Sequence, residues 1–454
     1  MSQTYDYIIV GAGSGNSILT PDFDNTAVAI VERGPFGGTC LNRGCIPSKM
    51  FIYPADLATY ARHSNRLGVD AQVNETRWQE VRDRVFGRID PIAAGGEDWR
   101  KSLDNVTVYN EDARFVGPKE LQVGDTTITA PTIVLAAGAR PFVPPIPGLD
   151  TVDYHTSASI MRIDDVPEHL IVIGGGFIAC EMAHVFEGFG AKVTIINRSG
   201  RLLRQEDEEI GERFTEVARE RFDVVLNAGI DSVSQETSAD GPEITVTLND
   251  GTTITGDAML VAAGRIPNGE QLGVTATGVE LDDAGYVVTD EHFRTGVDGI
   301  WALGDICTSY QLKHTANAET KVVAHNIANP DDLRTVDYSG VPHAVFTHPQ
   351  IAGVGQSEQE LREAGVDFIK AVKPYGDTAY GWAMEDTTSF CKLLADPESR
   401  LLLGAHIIGP QASSLIQQLI QGMQFGQTVD EMAKGQMYIH PALTEVVENA
   451  LLEL

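Results

Sequence analysis

Cys40 and Cys45 lie in the run Gly37-Gly38-Thr39-Cys40-Leu41-Asn42-Arg43-Gly44-Cys45-Ile46-Pro47-Ser48-Lys49, with four residues between them. Two thiols this close can close a small, strained disulfide that is easily reduced, which is redox chemistry and not scaffolding. In an ideal helix, residues five apart are separated by about 7.5 Å along the axis. A disulfide needs its Cα atoms within roughly 4.4–6.8 Å. The backbone must therefore deform between the two thiols, and Gly44 is the residue that tolerates it. A four-sulfur metal site would need a second close pair, and the sequence has none, so no metal is expected. Cys180, Cys307 and Cys391 stand alone and are expected to be buried small hydrophobes.

A second chemical pair lies near the far end, where His440 precedes Glu445 by five residues. An imidazole held by a carboxylate is an acid–base unit near neutral pH. The same His-Pro start also fits a capped helix, so the spacing leaves both readings open.

These groups need elements to hold them. The apolar run Tyr7–Val10 leads into Gly11-Ala12-Gly13-Ser14-Gly15-Asn16, and a second run, Ala27–Val31, ends on Glu32. Strand, glycine turn, short helix, strand and acid together read as a dinucleotide-binding entrance: pyrophosphate on backbone N–H groups at a helix start, ribose on Glu32. Asn16 occupies the third-glycine position, and Pro21 cuts the helix short. The pattern recurs with Leu170–Ile173, then Gly174, Gly176 and Ala179, then Lys192–Ile196. This second strand runs out on Asn197-Arg198, with Arg204 beyond and no acid at its end, which suits a 2′-phosphate and hence NADPH over NADH. Two dinucleotides in one chain imply electron transfer between them.

The chain of 454 residues is too long for one core, and its apolar fraction of 43% is that of a soluble globular protein. The formal charge of −31 argues against nucleic-acid binding. The N-terminus enters a strand at once and no apolar run reaches about 18 residues, so neither a signal peptide nor a membrane span is expected. Few scattered cysteines suit a reducing cytoplasm. Pro141–Gly148 reads as an extended connection; Ile133–Arg140 and Leu260–Asn268 repeat a buried strand ending on glycine (Gly138, Gly264). A strand from Gly299 to Leu303 lands on Gly304-Asp305. Beyond Asp331-Asp332, strand-like Val341–Gly355 and Gly404–Gly409 and helical Ser413–Phe425 and Ala442–Leu452 suggest a separate α+β domain.

Taken together, the Cys40–Cys45 box, both glycine fingerprints, Gly304-Asp305 and the His440/Glu445 end resemble the class I pyridine nucleotide-disulfide oxidoreductases, in order and over the whole chain. The resemblance implies an α/β enzyme of two Rossmann-like domains and a C-terminal α+β dimerisation domain. The implied division is 1–149 and 266–333 for FAD, 150–265 for NADPH, and 334–454 for the dimer interface. FAD is expected on Gly11, Gly13, Gly15, Glu32, Gly38, Thr39, Lys49, Gly138 and Asp305, and NADPH on Gly174, Gly176, Ala179, Arg198, Arg204 and Gly264. Cys45 is expected to face the flavin and Cys40 to attack substrate. Lys49 and Glu181 match an ion pair beside the flavin. His440, oriented by Glu445, matches an acid–base histidine donated across a homodimer.

Four segments, Gly13–Leu19, Val85–Ile92, Tyr380–Asp386 and Gln411–Gln417, resemble the branch of the family that reduces mycothione, a low-molecular-weight disulfide. Phe177 stands where glutathione reductase has a tyrosine, and Arg43 replaces the commoner aliphatic residue in the redox box. The alternative, a lipoamide dehydrogenase-like subunit of a multienzyme complex using NAD, is disfavoured by Arg198 and Arg204. A mercuric reductase is disfavoured by the lack of a second cysteine pair near Leu454.

Overall fold

The computed structural model describes residues 3–238 and 241–454. The chain separates into two units: Met1–Ser48, Glu80–Phe142 and Gly264–Asp337 form unit 1, and Lys49–Gln79, Val143–Ala263 and Tyr338–Leu454 form unit 2.

Unit 1 is organised by a five-stranded parallel sheet in the order Ile300–Ala302, Thr132–Leu135, Tyr7–Val10, Val28–Val31, Val106–Tyr109. Its inner strands are near-continuous apolar runs because both sheet faces are covered; Ile8, Val28, Ala29, Ile30, Ile133 and Leu135 are fully buried. The strand at Ile300–Ala302 then delivers Gly304–Ile306 as a single 3₁₀ turn. A four-stranded sheet, Gln3–Thr4, Thr126–Thr129, Glu120–Val123 and Ala113–Gly117, packs its Leu121 and Ile128 into the same core. The proline-rich connection begins as a strand: Ala139–Pro141 pairs antiparallel with Arg265–Pro267 before the chain leaves the unit.

Unit 2 holds a second parallel sheet, Asp223–Val225, Lys192–Ile196, His169–Ile173 and Ala258–Val261, with a three-stranded antiparallel sheet that shares its core. It also holds a five-stranded antiparallel sheet in the order His343–Val345, Ile351–Gly355, Leu402–Ile408, Phe390–Ala395, Ile369–Pro374. The helices Ala412–Gln424 and Thr444–Leu452 cover this sheet with Leu415, Leu419, Val446 and Val447.

The short helix expected after the first glycine turn is present as 3₁₀ turns, Ser14–Ile18 and Pro21–Phe23. Pro21 cannot donate its nitrogen to the ladder, so no longer helix propagates through it. Val341–Gly355 is two strands, not one, because the His348-Pro349 segment interrupts the pairing.

The two glycine turns are built alike. A Cβ on Gly11 would come within 2.3 Å of the Ala136 carbonyl oxygen, and one on Gly174 within 2.3 Å of that of Ala262. Each turn therefore presses its first glycine on the end of the neighbouring parallel strand, at φ +110° and +122°, where a side chain is excluded.

Candidate active site

In unit 1 the redox run is anchored to the first glycine turn. Gly37 donates its N–H to the Ala12 carbonyl at 2.9 Å, and a Cβ on Gly38 would meet Gly13 Cα at 2.7 Å. From Gly38 the chain forms helix α1, Gly38–Arg43. The Asn42 side-chain amide donates to the carbonyls of Phe36 and Gly38, locking the entry to α1 onto its last turn. At Gly44 the helix breaks, and helix α2, Cys45–Arg62, begins on the second cysteine. A Cβ on Gly44 would approach the Thr39 carbonyl to 2.9 Å, so the break is sterically reserved for glycine. Pro47 lies in the first turn of α2, where no intrahelical N–H donor is needed. Cys40 is half-buried and Cys45 exposed.

Burial pushes the thiols of Cys180, Cys307 and Cys391 well up from their ordinary range. Cys180 and Cys391 are fully buried, as expected, whereas Cys307 is half-buried and its Sγ lies 3.5 Å from the Gly304 carbonyl. Arg43 turns its guanidinium toward Gly34, with Nη2 3.1 Å from the position a Gly34 Cβ would take.

The surroundings of the first turn are those of a dinucleotide cradle. Glu32 accepts the N–H of Ala12 and of Gly34, each at 2.8 Å, so the acid at the strand end also stiffens the turn. Asn16, in the third-glycine position, is held by buried Arg100 of helix α3 (Trp78–Lys101), which donates to its side-chain and main-chain oxygens at 2.7 and 2.6 Å. Lys313 donates to Ser14 Oγ at 2.8 Å. Glu319 accepts the Gly304 N–H, fixing the turn that carries Asp305. Burial raises the Asp305 pKa, and Arg265, 3.4 Å away, opposes that shift. Gly138 and Gly264 both have positive φ and open space where a Cβ would sit, as a surface that receives a ligand backbone-first requires. Asn268 holds Gly138 by donating its backbone N–H to the Gly138 carbonyl at 3.0 Å, and its side-chain amide donates to the Ala137 carbonyl. These features fit a bound dinucleotide.

In unit 2 helix α4, Phe177–Gly188, starts directly behind the second glycine turn. Gly176 has no atom within 4 Å of a would-be Cβ, Ala179 is buried, and Phe177 is exposed at the helix start. Arg198 and Arg204 are both exposed. Asn197 does not face that surface: its amide packs on Gly175 and donates to the Arg201 carbonyl. Nearby carboxylates are engaged elsewhere, Glu206 with His343 and Glu208 with Arg201.

Glu181, on the buried face of α4, accepts Lys49 Nζ at 2.8 and 2.9 Å and the Phe346 N–H at 3.0 Å. Lys49 Nζ also sits 4.6 Å from the centre of the Phe346 ring. A buried carboxylate that accepts three hydrogen bonds from two donor groups is strongly placed, since these contacts replace most of what it loses to water.

His440 Nδ1 lies 2.6 Å from Glu445 Oε1, and the second Glu445 oxygen accepts the Ala442 N–H at 3.3 Å. The carboxylate is clamped and the imidazole is 73% exposed, so the ring presents Nε2 to whatever covers it. Helix Thr444–Leu452 starts after His440, with Glu445 in its first turn and no side-chain cap at Leu443.

Sequence reasoning missed Arg100, Phe346 and the group His184, Asp56 and Arg221. His184 alone left a signal: it follows Glu181 by three residues and so shares its helix face.

Residues 5–320 match the family described as pyridine nucleotide-disulphide oxidoreductase, and residues 341–451 match the dimerisation domain of that family. A mycothione reductase of Mycobacterium tuberculosis is 47% identical, with both chains covered in full. A dihydrolipoyl dehydrogenase of Geobacillus stearothermophilus is 33% identical over 98% of this chain and 94% of its own. Among solved structures, the Cu(II) complex of the HOCl-induced flavoprotein disulfide reductase RclA from Escherichia coli superposes with a TM-score of 0.88 at 26% identity, covering all of both chains.

Proposed function

The chain belongs to the pyridine nucleotide-disulphide oxidoreductases and is a flavoprotein disulfide reductase, and from that premise we propose that it reduces mycothione to mycothiol with NADPH. The observation that carries the reading is the Cys40–Gly44–Cys45 break, whose first helix starts against the dinucleotide turn at Gly13. FAD, when bound, supplies the two-electron relay between a nicotinamide and a disulfide. Its holders are Gly11, Gly13, Gly15, Glu32, Gly38, Thr39, Lys49, Gly138 and Asp305. Those of NADPH are Gly174, Gly176, Ala179, Arg198, Arg204 and Gly264, with the two exposed guanidiniums supporting a 2′-phosphate.

In the reduced protein the Cys40 thiolate attacks one sulfur of the substrate disulfide, releasing one thiol and leaving Cys40 bonded to the other. Cys45 then attacks Cys40 Sγ, closing the Cys40–Cys45 disulfide and releasing the second thiol, so the dithiol gives up two electrons. His440, oriented by Glu445, protonates the departing thiolate. Lys49, held by Glu181, is the cation assigned to the side of the flavin where reduction adds negative charge. The dimerisation-domain match and the exposure of His440 support a homodimer in which this histidine serves the partner's cysteines. Among the described residues no helix is long and apolar enough to cross a membrane, and the proposed location is the cytoplasm. The four-part division at 149, 265 and 333 belongs to the same proposal.

The test is steady-state turnover of the FAD-loaded protein against mycothione, glutathione disulfide and lipoamide, each with NADPH and NADH. A kcat/KM for mycothione with NADPH above all other pairs is expected. Preference for lipoamide with the NAD couple would transfer the chain to the dihydrolipoyl dehydrogenase activity.

A further inference from the structure

The Lys49–Glu181 pair does not stand alone between α2 and α4. Farther along the same two helices, Asp56 of α2 meets His184 of α4, with Oδ1 2.9 Å from Nε2. One turn beyond His184 the helices touch closely, since a Cβ on Gly188 would lie 2.6 Å from that of Ala55. Arg62 finishes the seam by donating to the carbonyls of Glu187 and Gly188.

His184 is fully buried, and both ring nitrogens are engaged. Its Nδ1 lies 3.1 Å from Arg221 Nη2. A guanidinium only donates, so Nδ1 must be the acceptor and the ring proton must sit on Nε2, where it is given to Asp56. The tautomer is thus fixed by its neighbours, and burial together with Arg221 keeps the ring neutral. Arg221 in turn pairs with Glu187 and donates to the His348 carbonyl at 3.3 Å.

His348 closes the circuit. It ends the short segment that begins at Phe346, and Phe346 supplies both the N–H on Glu181 and the ring beneath Lys49. One end of that segment is held by Glu181 and the other by Arg221. Tyr60 of α2 packs edge-on against His348 at 5.0 Å, and the His184 ring stacks on it at 6.3 Å.

We propose that His184, bridging Asp56 and Arg221, is a positioning residue that sets the Lys49–Glu181 pair by fixing both the α2–α4 seam and the Phe346–His348 segment. The assignment rests on the family reading that this pair serves the flavin, and it does not depend on which disulfide is reduced.

The experiment compares His184→Leu, which keeps bulk but loses both polar contacts, with His184→Gln, which keeps one donor and one acceptor. Both are measured as FAD-loaded proteins by anaerobic stopped-flow reduction with NADPH, by the absorption spectrum of the oxidised flavin, and by thermal stability. In the leucine variant, flavin reduction is expected to slow by roughly 10–100-fold, the scale of a misplaced catalytic group, with a shifted flavin band. Glutamine is expected to recover most of the rate and the wild-type band. His406→Leu, an equally buried histidine on the antiparallel sheet, controls for stability: it is expected to lower the melting temperature and leave the flavin band in place. If His184→Leu does not fold, Arg221→Met removes the same link from the other side and is expected to slow reduction likewise. Rates and spectra within threefold of wild type in the folded variants, or an equal loss in leucine and glutamine, overturn the proposal. Loss of mycothione turnover with normal flavin reduction leaves His184 without this role and is separate from the question of substrate.

Discussion

Gly13 and Gly38 meet backbone to backbone, so close that a methyl group on Gly38 would come within 2.7 Å of Gly13 Cα. One belongs to the dinucleotide turn and the other begins the helix that carries Cys40. The contact fixes the redox helix to the cofactor cradle with no side chain between them. Gly38 also sits at φ +62°, a conformation that strains L residues.

Gly38→Ala is therefore expected to do more than lower stability. The left-handed conformation alone costs about 1–2 kcal/mol, and the clash must push the turn and helix apart. A reduced flavin-to-protein absorbance ratio after purification, with a lower melting temperature, is the expected result. Full flavin content in the variant would show that the contact does not shape the cradle.

The two thiols are separable by spectroscopy. With Cys40→Ser, the Cys45 thiolate is expected to remain beside oxidised flavin and give a long-wavelength absorption band. With Cys45→Ser the band is expected to disappear. The opposite pattern would exchange the two roles.

Arg198 and Arg204 are expected to govern nucleotide choice. Replacing both with alanine removes two exposed cations from the phosphate side without touching a buried contact. The KM for NADPH should rise strongly while that for NADH changes little, as measured by steady-state kinetics. Equal effects on both nucleotides would move the phosphate site elsewhere.

Acid stability should depend on His348. Burial, with help from Arg221 and His184, pulls its pKa down to about 4. Between pH 6.5 and 4 the unfolded chain takes up a proton that the folded one refuses, so stability falls as pH falls through that window. A gap of about 2.5 units is worth about 3 kcal/mol, fully lost below pH 4. His348→Gln should show a shallower decline in urea midpoint between pH 7.5 and 4.5; parallel curves for the two proteins would remove His348 as the cause.

His440→Ala tests chemistry and assembly together. Flavin reduction by NADPH should stay near normal, while disulfide turnover should fall by roughly 10²–10⁴-fold. Mixing this variant with Cys40→Ser chains should restore part of the activity, because one site of a heterodimer then pairs an intact Cys40 with an intact His440. If subunits exchange and nothing returns, the two residues act within one chain.

Much of the frame was legible because it is written in local patterns. Apolar runs ending on glycine gave the parallel strands, since a strand covered on both faces needs no alternation. The conflict between helical rise and disulfide reach located the break at Gly44, and the break is there. The short helix of the first fingerprint was legible in Pro21, but its 3₁₀ character was not, because 3₁₀ turns share the helix signals and differ only in which carbonyl is within reach. The interruption at His348-Pro349 lies between two short apolar stretches, His343–Val345 and Ile351–Gly355, that read together as one strand.

What sequence determined by itself, then, was the set of candidate reactive groups and the turns that need glycine, because both follow from residue type and short spacing. Tertiary structure alone decided what holds them. Arg100 reaches Asn16 across 84 residues, and Phe346 reaches Glu181 across 165. Lys49 with Glu181, 132 residues apart, was suggested by family likeness and never by spacing. His184 acquires its tautomer from Arg221 and Asp56, and the buried Lys392 acquires its charge partners Asp207 and Glu358 from distant elements. Such contacts leave no periodic trace. They form because a buried polar group must find a partner, and only the packed chain determines which partner is near enough to satisfy it.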